Sequence, residues 1–194
     1  GERFVDEGED FRNFTYAKFG REVINQPKQV GWQIFDKKVR HMLYPEYDVK
    51  SATMVKANSI KDLIYKIKGI NKSKALKTIL LYNNAVTKNI KFDPTIKDGK
   101  KTIGLKINKT NWANLINKPP FYAYGVTCGI TFTFGGLKVN KKCQVLDKFR
   151  KPIKGLFAAG EIIGGIFYFN YPGGSGLTSG AVFGKIAGKS AAKF

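Results

Sequence analysis

The sequence predicts an α+β chain built in two parts, and three observations carry that expectation. A lysine-coated pair of helices is spelled out in "NSIKDLIYKIKGINKSKALKTILLYNNAV". Composition then changes after Pro119 and Pro120, beyond which the chain turns aromatic, glycine-rich and β-branched. The chain closes on "LTSGAVFGKIAGKSAA", a small-residue apolar run with the spacing of one helix. The expected domains are therefore residues 1–120 and 121–194.

Residues 14–37 combine a short helix with "VGWQIFD", where Val30, Trp32 and Ile34 alternate as in a strand. In the first helix of the pair, Asn58 or Ser59 is the cap, Ile60, Leu63, Ile64 and Ile67 share a face, and Gly69 is the stop. The second starts at Asn71 or Ser73 and sets Leu76, Ile79, Leu80 and Tyr82 at helical spacing. Packed as a hairpin, the two bury their apolar faces and leave the lysines in water. After the turn-rich "FDPTIKDGKK", the stretches "GITFTFGGLKV" and "CQVLD" read as strands joined by a turn at residues 140–142. "GLFAAG" reads as a buried strand, and the last helix runs from about Leu177.

At 194 residues and 43% hydrophobic content the chain can bury a core. No run nears the roughly 20 apolar residues that span a membrane, and the acidic "GERFVDEGED" is unlike a secretory signal, so a cytoplasmic setting is expected. That opening also reads as the interior of a longer polypeptide. Cys128, Cys143 and the single histidine, His41, are too few soft ligands for a zinc or iron–sulfur site, and His41 is expected on the surface. Net charge is +20, with 15 lysines against Asp62, Asp93 and Asp98 between Ser51 and Lys118. The excess is lysine without arginine clusters or interleaved aromatics, which disfavours nucleic acid as a partner and fits a solvated basic surface. A basic module that binds anionic polymers stays open as a different class of function.

The segment "FNYPGGSGLTSGAVFG" places Gly173, Gly174 and Gly176 directly before the last helix. Glycine admits close backbone approach, and free N–H groups at a helix start attract electron-rich groups, so a bound anionic cofactor is one reading. Gly180, Gly184 and Gly188 share one helix face, which suits close packing of helix on sheet.

The stretch from Gly135 to Ala192 resembles the C-terminal segment of the fumarate reductase and succinate dehydrogenase flavoproteins, through "GLFAAGE", the Gly-Gly loop and the final helix. "GERFVDEGEDFRNFTYAKFG" and "GGIFYFNYPGGSGLTSGAVFG" are most similar to the FAD-dependent tricarballylate dehydrogenases within that superfamily. The resemblance implies a capping domain followed by the C-terminal segment of an FAD/NAD(P)-binding Rossmann-like α/β domain, an α+β fragment of an FAD-dependent dehydrogenase. The G-x-G-x-x-G fingerprint is absent from these residues, which assigns the pyrophosphate site to a missing N-terminal half of the flavin domain.

By the same resemblance, Gly160 and Glu161 bind the cofactor, Glu161 at the ribityl hydroxyls; a solvated strand-end acid is the plainer alternative. Gly173, Gly174, Ser175, Gly176 and Leu177 lie against the isoalloxazine. Arg12 is the catalytic residue, either a proton carrier served by Glu7, Glu9 and Asp10 or a bidentate partner of a substrate carboxylate, since a guanidinium transfers protons only within a relay. Arg3 and Arg21 are structural. Fumarate-reducing relatives carry a histidine and an arginine where this chain has Phe132 and Tyr171. With Tyr168 and Asn170, these two form the expected substrate-binding set, suited to another small polycarboxylate, tricarballylate going to cis-aconitate. A fumarate reductase-like or steroid dehydrogenase-like activity is the rival. Electrons then pass to a redox partner protein, which would associate the protein with the inner face of the membrane.

Overall fold

The computed structural model describes residues 1–131 and 133–194; Phe132 lies outside the described residues. It divides into two compact units, Gly1–Cys128 and Gly129–Phe194. The break falls beyond the expected one at 120/121 because residues 121–126 form the central strand of the first unit's sheet.

In the first unit, α1 (Arg12–Ile24) is followed by β1 (Gly31–Asp36), β2 (Met54–Ala57), α2 (Ile60–Lys66), α3 (Lys72–Ala85) and β3 (Phe121–Val126). The strands pair antiparallel in the order β1-β3-β2, with Ala123 opposite both Ile34 and Val55. Period-two alternation sends Trp32, Ile34, Val55, Phe121 and Ala123 to one face, where α2 and α3 cover them. Leu63, Ile64 and Ile67 are fully buried there.

Both helix starts follow from their caps. Ser59 Oγ accepts from the Asp62 amide at 3.0 Å and donates to the Asp62 carboxylate at 2.7 Å. Asn71 Oδ1 accepts from the Lys74 amide at 3.0 Å. The end of α2 is closed by a lysine: Lys72 Nζ donates to the carbonyls of Ile64 at 3.0 Å and Tyr65 at 2.8 Å, and to that of Ile67. The expected inward face of α3 needs one correction. Ala75, Ile79 and Tyr82 are its buried stripe, and Leu80, about 100° around the helix from Ile79, is 63% exposed.

The turn-rich connector is ordered by polar side chains. Asp98 Oδ1 accepts from the amides of Lys100 and Trp112, both at 2.9 Å, and the Trp112 indole N–H donates to the carbonyls of Asp93 and Ile96. Asn111 Nδ2 donates to Gly8 O at 2.7 Å, and a Cβ on Gly8 would stand 2.3 Å from Asn111 O, so only glycine fits there. Buried Asp36 accepts from the amides of Asn117 and Lys118, both at 3.0 Å.

In the second unit, β4 (Gln144–Leu146) and β5 (Pro152–Phe157) form an antiparallel hairpin, and α4 (Ser175–Ala191) closes the chain. The turn at residues 140–142 is as expected, with the Cys143 amide donating to Asn140 O at 2.9 Å. Of the long strand expected over "GITFTFGGLKV", the described residues form two isolated bridges, Leu137 with Ile163 and Val139 with Val145. Two glycines meet there: a Cβ on Gly164 would lie 2.5 Å from the Gly136 nitrogen, and this contact replaces side-chain pairing. The expected burial of "GLFAAG" is also corrected, because β5 is exposed along most of its length. Nor do Gly180, Gly184 and Gly188 pack closely. Among the described residues, nothing lies within 4 Å of a Cβ built on any of them, and α4 buries no residue.

Candidate functional site

The second unit holds a small cleft, about 10 Å³, whose walls include Thr133, Phe134, Gly160, Glu161, Gly176 and Ser179. Gly160 follows β5 at φ +84°, with no atom within 4 Å of where a Cβ would stand, so the backbone turns there and leaves space beside it. The turn delivers Glu161 to the cleft, where its Oε1 accepts from the Thr133 amide at 3.0 Å and hydroxyl at 3.3 Å. Glu161 is exposed, so it is a solvated carboxylate that is also tied to its loop.

The opposite wall is the start of α4. Gly174 is its cap at φ +80°, and the first intrahelical bond runs from Thr178 N to Gly174 O. The amides of Gly176 and Leu177 precede that bond, and a glycine cap has no side chain to offer them. They are donors at the positive end of a helix of 17 residues. Ser175 is turned the other way, its hydroxyl donating to Pro172 O at 2.6 Å.

The structure thus gathers Gly160, Glu161 and Gly176, with Gly174 setting the helix start. Gly173 and Leu177 are exposed, Leu177 at 84%. Of the expected substrate set, Phe132 lies outside the described residues. Tyr171 stands 6.1 Å from the rings of both Phe134 and Phe167, which line the cleft. Tyr168 is 79% exposed and packs edge-on against Phe169 at 4.2 Å, and Asn170 is exposed beside it. Sequence reasoning missed Thr133, Phe134, Phe167 and Ser179. Only Ser179 left a signal, its position three residues after Gly176 on one helix face.

In the first unit, Arg12 opens α1 with its guanidinium 5.1 Å from the centre of the Tyr44 ring. The expected carboxylate relay is not built. Glu7 pairs with Arg3 at 2.7 Å, Glu9 pairs with Lys18, and Asp10 pairs with Lys97 at 3.2 Å. Asp10 also accepts from the Phe11 amide, and that bond chiefly holds its carboxyl below the usual range. Arg3 is structural, as expected: it donates to Ile107 O at 3.2 Å and covers the Tyr82 ring. Burial dominates at Lys109 and lowers its ammonium pKa, with Glu7 at 3.8 Å opposing the shift. His41 is exposed.

The family model described as FAD binding domain matches residues 1–177. The chain belongs to that family. Over its whole length this FAD binding domain chain is 34% identical to a probable fumarate reductase, Ifc3, of Shewanella frigidimarina, covering 30% of that protein. It is 32% identical to an NADH:fumarate oxidoreductase of Klebsiella pneumoniae, covering 19%. The open conformation of a flavocytochrome c3 fumarate reductase superimposes over the full chain with a TM-score of 0.72 at 32% identity, the chain covering 31% of it. A 3-ketosteroid Δ1-dehydrogenase of Sterolibacterium denitrificans shares the fold, at TM-score 0.70 and 24% identity. The chain thus spans about a third or less of the curated relatives named here.

Membership makes FAD the cofactor, and the relatives named are a probable fumarate reductase and an NADH:fumarate oxidoreductase. The residues present fit a flavin by their chemistry: open space beside Gly160, a carboxylate in the same cleft, and the glycine-capped start of α4 with Gly176 on its wall. Among the described residues no helix is long and apolar enough to cross a membrane, and no group of side chains could hold a metal ion.

Proposed function

We propose that this chain supplies the substrate-facing and ring-facing parts of an FAD-dependent oxidoreductase that dehydrogenates a small polycarboxylate, of which tricarballylate going to cis-aconitate is the type. The observation that carries this reading is the meeting of Gly160, Glu161 and the Gly176 end of α4 around one cleft. Glu161 holds the ribityl hydroxyls through the carboxylate that Thr133 orients. The Gly176 and Leu177 amides bind the electron-rich edge of the ring, and Gly174 keeps that helix start free of side chains. Bound FAD supplies the acceptor for the hydride that leaves one of two adjacent substrate carbons.

Arg12 binds a substrate carboxylate. With Glu7, Glu9 and Asp10 paired to Arg3, Lys18 and Lys97, its charge remains available for a bidentate contact, and the relay a proton carrier needs is not assembled. In the second unit, Tyr171 with Phe134 and Phe167 gives the cleft an aromatic rather than cationic wall. That wall favours a substrate bound by fewer charged clamps than fumarate is in the relatives the sequence resembles. Tyr171 turns an edge to the Phe134 ring and lies tilted against that of Phe167, which supports this.

A second reading has its own support in the 34% identity to a probable fumarate reductase: reduction of a fumarate-like alkene in the same site. The protein as its gene encodes it decides between the two. Oxidation of tricarballylate with an artificial electron acceptor is assayed beside reduction of fumarate with a reduced dye. Turnover of tricarballylate well above that of fumarate is expected; turnover of fumarate alone selects the second reading, and turnover of neither overturns both.

A further inference from the structure

We propose that Tyr44 is a positioning residue for Arg12, holding the guanidinium over its ring with the charge unneutralised and so ready for an anionic carboxylate. The inference rests on the assignment of Arg12 to substrate binding made above.

Both partners of the pair are anchored from behind. Tyr44 caps the short 3-10 turn Pro45–Asp48, and Pro45 restricts its backbone to the extended conformation it adopts, φ −65° and ψ 156°. That turn is fastened to the uncovered face of the sheet by Tyr47. The Tyr47 ring meets Tyr124 edge-on at 4.9 Å and Phe35 at 6.1 Å, and its hydroxyl donates to Gln33 at 2.6 Å. Asp48, at the turn's end, is paired with Arg40, whose own guanidinium lies 5.5 Å from the Tyr122 ring. On the other side, Phe11 packs on Trp112 at 5.3 Å, and Thr15 is buried one turn into α1. The start of α1 therefore cannot slide relative to the Tyr44 turn without breaking one of these contacts.

The chemistry of the pair matters as much as its position. A carboxylate beside Arg12 would hold it equally well and would compete with the substrate for the same N–H groups. An aromatic face attracts the cation through its quadrupole and leaves those in-plane donors free. The acids that precede Arg12 in the chain are committed elsewhere: Asp6 to Thr110 and Gly8, Glu7 to Arg3, Glu9 to Lys18, Asp10 to Lys97. Tyr44 is 57% exposed, so its substitution opens no core.

The test uses the FAD-loaded protein as its gene encodes it, with tricarballylate and fumarate as probes. Tyr44→Leu is expected to raise KM about fivefold with kcat nearly unchanged, the loss of one exposed cation–π contact. Tyr44→Phe, which keeps the ring face, is expected to restore KM. With [15N]arginine labelling, the Arg12 side-chain N–H resonance is expected to carry a ring-current shift that Tyr44→Leu removes and Tyr44→Phe retains. An unchanged KM in Tyr44→Leu while Arg12→Ala raises it at least tenfold overturns the role of Tyr44 and leaves that of Arg12 standing. An unchanged KM in Arg12→Ala overturns the assignment of Arg12 itself. Loss of flavin or of the folded state in Tyr44→Leu also overturns the proposal, since it makes the ring a structural element.

Discussion

Glu161 offers one carboxylate oxygen to Thr133 and turns the group toward a cleft it shares with the start of α4. If it also holds the cofactor, Glu161→Gln should weaken FAD binding about tenfold, read by flavin absorbance after equilibrium dialysis, because hydrogen bonds to a charged acceptor are the stronger kind. Thr133→Val should weaken it less, through orientation alone. Equal affinity in Glu161→Gln would make the residue a brace for its loop. Lys109 gives a prediction of pH dependence. Burial lowers its folded pKa below the 10.5 of an unperturbed lysine, so between the two values the unfolded chain binds the extra proton. Stability therefore rises with pH through that window, and the cost of the buried ammonium is fully present below it. Lys109→Met is expected to abolish this rise in stability with pH just below 10.5, read in thermal melts across that window. Glu161 and Gly160 were legible in the sequence because their motif is contiguous. Thr133 was not, because it is 28 residues away and joined to Glu161 only by the fold.

Among the elements, α2 and α3 are the most faithful to the sequence, since Ser59 and Asn71 cap them through contacts three residues long. What the sequence conceals is the task of its lysines. Lys72 closes the end of α2, and Lys100 Nζ donates to the carbonyls of Thr87 at 3.1 Å and Ile90 at 2.6 Å. Part of the basic excess is thus structural, a role that composition cannot separate from a solvated surface. Lys72→Met should cost about 1 to 2 kcal/mol in denaturant unfolding, because three carbonyls lose their donor, whereas the outward Lys77→Met should cost nearly nothing. Within the strand expected over residues 129–139, Gly136 brings backbone against the backbone of Gly164, where no side chains pair. Gly164→Ala should accordingly disrupt the second unit, whereas Gly180→Ala meets open space and should leave it intact in circular dichroism.

At the scale of the molecule, the second unit presents a helix with no buried residue and a largely exposed hairpin strand. The mixture of helix and strand was legible in the sequence, whereas the break between the units falls after Cys128 and not at the change of composition. The exposure of β5 and α4 was not legible, because apolar spelling states that a surface will be covered without stating which segment covers it. The central claim, that the glycine-capped start of α4 faces a flavin ring, is tested most directly by hydrogen exchange. In the protein as its gene encodes it, the amides of Gly176 and Leu177 are followed with and without FAD. Exchange of these two amides is expected to slow at least tenfold on FAD binding, while those at the far end of α4 are unaffected. Full occupancy by flavin with unchanged exchange at Gly176 and Leu177 would contradict it.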